Sequence, residues 1–204
     1  KEVDITGRTN TTVVVVTIRE TLGGTGAESD WDETLWSSHR GYPQAVSFHD
    51  NRLWFGGSPS KPSSVVASQV GEYYNFDVGD GTASKAIDVA IAGDRVNEVR
   101  HFISSRNLQI FTDGGEYYIP TSSDTSAITP SNITFRRQTP YGCSRANPTV
   151  FDGATVFVQK TGKAVREYLY SDGQAAYSSN SISVLSSQLI DTPKQTAMIS
   201  GNTT

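Results

Sequence analysis

The residues able to do chemistry in this 204-residue chain are few and scattered. Its three histidines, His39, His49 and His101, share no metal-ligand spacing with one another or with the single cysteine, Cys143. There is no Gly-x-Ser-x-Gly elbow and no Walker A loop, and Gly24-Thr25-Gly26 lacks the third glycine and following helix of a phosphate cradle. Glu28, Asp30, Asp32 and Glu33 supply the oxygen ligands that Ca²⁺ takes, but without the glycine and distal glutamate of a calcium loop. A solvated acidic loop is the simpler reading. Glycoside hydrolysis needs two carboxylates at a fixed separation, and the sequence nominates no such pair. Arg136-Arg137 is the densest basic spot; adjacent strand residues face opposite ways, so the pair suits an edge and an interface better than a nucleic-acid groove. Asn10-Thr11-Thr12 and Asn132-Ile133-Thr134 match glycosylation sequons, which arise by chance in a chain rich in Asn and Thr. The expectation is therefore no catalytic, metal-binding or cofactor-binding residues, no cofactor and no enzymatic activity.

Composition describes what must position these residues. Apolar residues make up 36% of the chain, and Ser, Thr, Asn and Gly fill the deficit rather than charge. Nine Tyr and eight Phe supply large areas for burial. Net charge is −4, split as −6 over residues 1–98 and +2 over 99–204, so neither half has the basic excess that phosphate neutralisation requires. One cysteine allows no intrachain disulfide and fits a reducing compartment. No apolar run approaches a membrane span, and Val13-Val14-Val15-Val16 reads as a strand core. Beginning at Lys1 without Met, the chain reads as an excerpt from a longer protein.

A repeat with a loose period of about 45–55 residues runs along the chain. Its first unit has Ala45-Val46-Ser47-Phe48, a turn at Asp50-Asn51, Arg52-Leu53-Trp54-Phe55, then Ser64 to Ser68. The second has Glu98 to Ile103, a turn at Ser104-Ser105-Arg106-Asn107, Leu108 to Thr112, then Glu116 to Ile119. The third has Pro148 to Phe151, a turn at Asp152-Gly153, Ala154 to Gln159, then Lys163 to Tyr170, and a fourth opens at Gln195. Alternating apolar and polar residues between Asp-Gly and Asp-Asn turns are the pattern of half-buried hairpins. The predicted fold is all-β: antiparallel hairpin repeats forming β-propeller-like blades, an incomplete ring, with a β-sandwich as the alternative. Residues 1–40 form an N-terminal strand and an acidic, Gly-rich connector. Residues 41–204 form the blades, in units of about 41–95, 96–147 and 148–194, with the next starting at 195. A polar loop over 121–126 interrupts the second unit, and the one helix expected is short, around Ser186 to Ile190. Phe48, Leu53, Phe55, Phe102, Leu108, Phe111, Val150, Val156 and Val158 form the expected core, and Arg52 is expected to point away from the face of Leu53 and Phe55.

The stretch Gly41-Tyr42-Pro43, Val46-Ser47-Phe48, Asn51 through Ser58, Pro62, Ser68 and Gly71 through Phe76 carries a resemblance. It continues through Gly115-Glu116, Ile128 to Asn132, Gly142, Pro148, Phe157-Val158, Arg166-Glu167, Tyr170, Tyr177 and Leu189-Ile190. Over about residues 35–200 the chain resembles the nozzle proteins of short-tailed bacteriophages, also called tail tubular protein B, and related stabilisation proteins. The resemblance implies a structural component of the virion tail, assembled in the bacterial cytoplasm and not bound to a membrane. It further implies a homo-oligomeric ring that contacts other tail proteins on the adaptor or portal side and through which DNA passes without specific contacts. Alternatives of other kinds are a phage carbohydrate-binding or glycan-hydrolysing propeller, marked by paired carboxylates and exposed aromatics in a pocket, and a cellular propeller serving protein interaction.

Overall fold

Short β-branched and aromatic runs between turn residues give a chain built almost wholly of antiparallel strands. The computed structural model describes residues 3–19, 21–24, 26, 34–94, 96–120 and 127–197. The acidic set Glu28, Asp30, Asp32 and Glu33, the loop over 121–126 and residues 198–204 lie outside the described residues. Two units separate by their contacts, residues 1–35 and residues 36–204.

In the first unit, β1 (Val3–Arg8) pairs antiparallel with β2 (Val14–Ile18), with a bulge between Ile5 and Gly7. The Asn10 side chain accepts the Thr12 amide at 2.9 Å and so shapes the connecting turn. Val3, Ile5 and Ile18 lie exposed on one face of this ribbon. On the other, Asp4 is ion-paired with Arg19.

The second unit holds three four-stranded sheets, each a meander in which consecutive strands are neighbours. The first contains β3 (Ala45–His49), β4 (Arg52–Ser58), β5 (Lys61–Ala67) and β6 (Ile87–Ala90). The second contains β7 (Val99–Ser104), β8 (Leu108–Thr112), β9 (Glu116–Tyr118) and β10 (Arg136–Thr139). The third contains β11 (Thr149–Phe151), β12 (Ala154–Val158), β13 (Val165–Ser171) and β14 (Ala176–Ser181), and a short 3-10 helix follows at Val184–Leu189. None of the sheets closes on itself. The first hairpin turns through Asp50 and Asn51 at φ 48° and 53°, and the third through Asp152 and Gly153 at φ 47° and 79°. Two consecutive positive φ angles give the turn twist that matches paired strands, and Asn, Asp and Gly are the residues that tolerate them.

Two cores hold the sheets face to face. Trp54, Val65, Ala67 and Ile87 of the first sheet meet Val99, Phe102, Leu108, Ile110 and Tyr117 of the second. Phe111 and Tyr118 of the second sheet meet Phe157, Tyr168 and Tyr177 of the third, with Cys143 among them. The second sheet is therefore covered on both sides, and all five residues of β8 are buried.

Of the expected core, Leu53, Phe102, Leu108, Phe111 and Val158 are buried, while Phe55 and Val156 are half-buried. Phe48 and Val150 are corrections, at 61% and 44% exposed. Phe48 lies on the face of the first sheet turned away from the second, and Val150 lies on β11, an edge strand of its sheet among the described residues. Alternation assigns a side chain to a face; it does not supply the layer that covers that face. Arg52 does point away from Leu53 and Phe55, yet it is 1% exposed. It shares its face with Trp54, which is the core face.

Candidate functional site, the seams between the sheets

The residues nominated by type do not converge. His39 is exposed in a turn. His49 ends β3 with Nδ1 2.9 Å from the Ser104 hydroxyl, and burial lowers its pKa against the opposing pull of Asp50. His101 lies on β7 with Nε2 3.2 Å from the Ser144 carbonyl, and burial again lowers its pKa. Cys143 is fully buried, and desolvation followed by the neighbouring Glu116 raises its thiol pKa far above the ordinary value. Among the described residues no group of three His, Cys, Asp or Glu is arranged to hold a metal ion. Arg136 and Arg137 occupy β10, an edge strand of the second sheet, and Arg137 Nη2 donates to the Gly114 carbonyl at 2.8 Å. Asn132, the second sequon asparagine, closes its own turn by donating to the Ala127 carbonyl at 3.0 Å and accepting the Thr129 amide at 2.8 Å.

The structure gathers its unusual polar groups in the seams instead. Between the second and third sheets, Glu116 of β9 is completely buried. The Thr139 hydroxyl donates to Oε2, and Oε1 has no hydrogen-bond partner. Burial raises the pKa of this carboxyl to about 7, against the opposing pull of Thr139, the Tyr141 and Gly142 amides and Arg166. Beside it, the buried Tyr168 hydroxyl also has no partner, and desolvation and Glu116 raise its pKa beyond the ordinary phenol range. Tyr168 stacks on Tyr177 at 4.6 Å with the rings 5° from parallel. The Arg166 guanidinium sits 3.4 Å from the Tyr141 ring centre, a cation–π contact at the rim of the same seam. Thr155 of the third sheet donates to Gln109 of the second at 2.6 Å. Unpaired buried polar atoms are costly, so these groups persist because apolar packing around them over-determines their position.

Backbone contacts and ion pairs stitch one end of the stack. Asp113 N donates to Glu98 O, Cys143 N to Thr112 O, and Lys160 N to Gly142 O, at 2.8–3.0 Å. Gln44 Nε2 lies 2.5 Å from Glu98 Oε1, joining the approaches to β3 and β7. Lys160 Nζ lies 2.9 Å from Asp113. Burial raises the Asp113 pKa, but the Lys160 hydrogen bond, the Glu98 amide and the charges of Lys160 and Arg100 outweigh it and hold the carboxyl low. Two glycines allow this approach. Gly57, at φ 72°, would place a β-carbon 2.0 Å from Val99 O, and Gly142, at φ 74°, would place one 2.5 Å from Asp113 O.

Sequence reasoning missed a second buried charge. Arg52 donates through Nη1 to the carbonyls of Ser68 and Lys85 and through Nη2 to that of Ala83, each at 2.6 Å. It clasps the long loop between β5 and β6 from inside. The available signal was its position two residues before Trp54, which puts both on one strand face. These arrangements can bear load and fix the angle between layers. The raised carboxyl of Glu116 has no exposed surface through which to meet a substrate.

A model of the bacteriophage nozzle protein family matches residues 43–204, which span all three stacked sheets. No curated protein matches the chain.

Proposed function

Because the chain belongs to the bacteriophage nozzle protein family, a family of phage tail structural proteins, we propose that its three sheets are blades in the wall of a tail conduit through which DNA is ejected. One blade corresponds to each sheet, over about residues 41–95, 96–147 and 148–194, with residues 1–40 as a separate N-terminal strand and connector. The observation that carries the reading is the recurrence of one architecture, a four-stranded meander packed face to face on the next through a continuous core. Propellers are built in this way.

A conduit wall must resist deformation while a polyanion slides past it. The seams fit that demand, since both combine close backbone approach with dense aromatic packing. A net charge of −4 over the chain favours passage over retention of DNA. The partners are other copies in a homo-oligomeric ring and the tail proteins on its adaptor or portal side, and the site of assembly is the bacterial cytoplasm. No helix among the described residues is long and apolar enough to cross a membrane.

The glycan-active reading has one observation in its favour, the exposed aromatics Tyr42, Phe48, Tyr73 and Tyr74 on and near the first sheet. Electron microscopy of assembled tails and a glycan-turnover assay separate the two readings. The conduit reading expects ring density that accommodates this chain and no turnover of host polysaccharide. Turnover abolished by changing one carboxylate, with no ring density attributable to the chain, would overturn it.

A further inference from the structure

The register of the second sheet places Glu116 in a row of three. Phe111, Glu116 and Thr139 lie directly opposite one another on β8, β9 and β10, so they share one face. Phe111 packs from that face against Phe157 and Tyr168 of the third sheet. The row therefore carries a carboxyl into an aromatic seam. Among the described residues no other carboxyl is buried. The seam on the opposite side of the second sheet is built differently. Its core is apolar apart from the Tyr117 hydroxyl, which accepts the Asn97 side-chain amide at 3.1 Å.

The groups around the Glu116 carboxyl suit its neutral form. Thr139 donates to Oε2, the Tyr141 and Gly142 amides add weaker pulls, and Oε1 has no partner. The thiol of Cys143 and the phenol of Tyr168 are both neutral groups beside it, and the phenol oxygen is also unpartnered. Arg166 of β13 is the charged group that pulls on the carboxyl. Its guanidinium is engaged with the Tyr141 ring, with Gln159 Oε1 at 2.9 Å and with the Ser179 carbonyl at 3.5 Å. On β7, Arg100 is ion-paired with Glu98 at 2.8 Å, and His101 meets the Ser144 carbonyl. An ionised Glu116 would thus hold a charge in a dry seam with one oxygen unmatched. Separating the layers lets water reach that charge, which is the cheaper state for an anion.

We infer that protonated Glu116 latches the seam between the second and third sheets, and that its ionisation opens this seam locally while the seam between the first and second sheets stays closed. The inference rests on the packing of the chain and is independent of the conduit reading. Its direction follows from burial. The carboxyl titrates at about 7 in the closed seam against 4.5 ordinarily, so closure is favoured in acid and weakens as pH rises toward 7. His101 acts in the opposite sense. Burial lowers its pKa below 6.5, so its protonation favours opening on the acid side. A loosening that grows with pH therefore belongs to Glu116 and not to His101.

Cys143 is the single thiol of the chain and lies buried in the same core, so it reports the opening directly. The full 204-residue chain is labelled with N-ethylmaleimide from about pH 5.5 to about pH 8. Each rate is divided by that of the urea-unfolded chain at the same pH, which removes the thiol's own titration. The corrected rate should rise more than about tenfold across the window, and Glu116→Gln should abolish the rise. Tyr168→Phe should keep it, because the phenol does not ionise in this range. Hydrogen exchange read by mass spectrometry, corrected for intrinsic rates, should show β12, β13 and β14 losing protection in step with Cys143 while β4 and β5 hold theirs. A flat wild-type profile, an undiminished rise in Glu116→Gln or a rise lost in Tyr168→Phe overturns the latch. Loss of protection in β4 and β5 in step with Cys143 shows whole-chain unfolding and overturns the local opening. If Glu116→Gln does not fold, the wild-type profile, its exchange map and Tyr168→Phe decide the matter.

Discussion

Glu116 holds a carboxyl with one hydroxyl donor in a site that solvent does not reach. Its pKa in the fold, about 7, stands above the ordinary value of 4.5, so the folded state binds the proton more tightly than the unfolded chain. The resulting stabilisation is complete below about pH 4.5 and is lost as pH rises to about 7. Denaturant melts of the wild-type chain between these limits should show stability falling by about 3 kcal/mol with rising pH. Glu116→Gln should flatten that dependence and be the more stable protein above pH 7. Arg52 makes the opposite case, a buried cation that earns no carboxylate and instead donates to three carbonyls. Arg52→Met should cost about 3 kcal/mol or more, since it leaves those acceptors unpaired. Limited proteolysis should then cut faster within residues 69–85 than elsewhere. Neither role was legible in residue type: in the sequence Glu116 reads as the start of a strand and as part of the resemblance, and Arg52 as a strand residue turned away from Leu53.

The strands that the sequence shows best are the first three of each sheet, where apolar residues alternate between clear turns. The fourth strands are harder to read. Ala176–Ser181 of β14 is mostly serine and asparagine, and only Tyr177 on it is buried. Such a strand is held by pairing with its neighbour, a non-local property that leaves little periodic signal. Burial within the strands now ranks substitutions that look alike in sequence. Phe102→Ala should cost roughly 3–5 kcal/mol, because the ring fills the first core. Phe55→Ala should cost about 2 kcal/mol, since the ring is half-buried, packed against Trp36 and Phe76. Phe48→Ala should change the stability of the isolated chain by less than about 1 kcal/mol. Equilibrium urea unfolding of the three variants checks the order, and equal losses would contradict the assignment of faces. Gly57→Ala should cost more than about 2 kcal/mol, because its β-carbon meets the backbone of the next sheet in a left-handed conformation.

At the scale of the molecule, residues 36–204 form one contact unit and contain both cores. A chain beginning at Trp36 should therefore retain cooperative unfolding, with a melting temperature within about 4 °C of the full chain. Loss of the cooperative transition on that truncation would show that residues 1–35 hold the stack together. A stack of layers has two ends, and its end faces keep apolar side chains that the middle sheet buries.

The local rules were sufficient for the all-β class, the turns at Asp50-Asn51 and Asp152-Gly153, and most of the strand phases, because each depends on neighbours along the chain. The order and spacing of motifs from Gly41 to Ile190 were enough to place the chain among phage nozzle proteins. Which face of each sheet is covered depended on a partner layer about fifty residues away. That is why Phe48 and Phe102, alike in sequence context, differ so much in exposure. The buried carboxyl of Glu116 depended on three segments converging at once, β9, β10 and the third sheet. Desolvation is a property of everything that surrounds a group, and only the tertiary structure decides it.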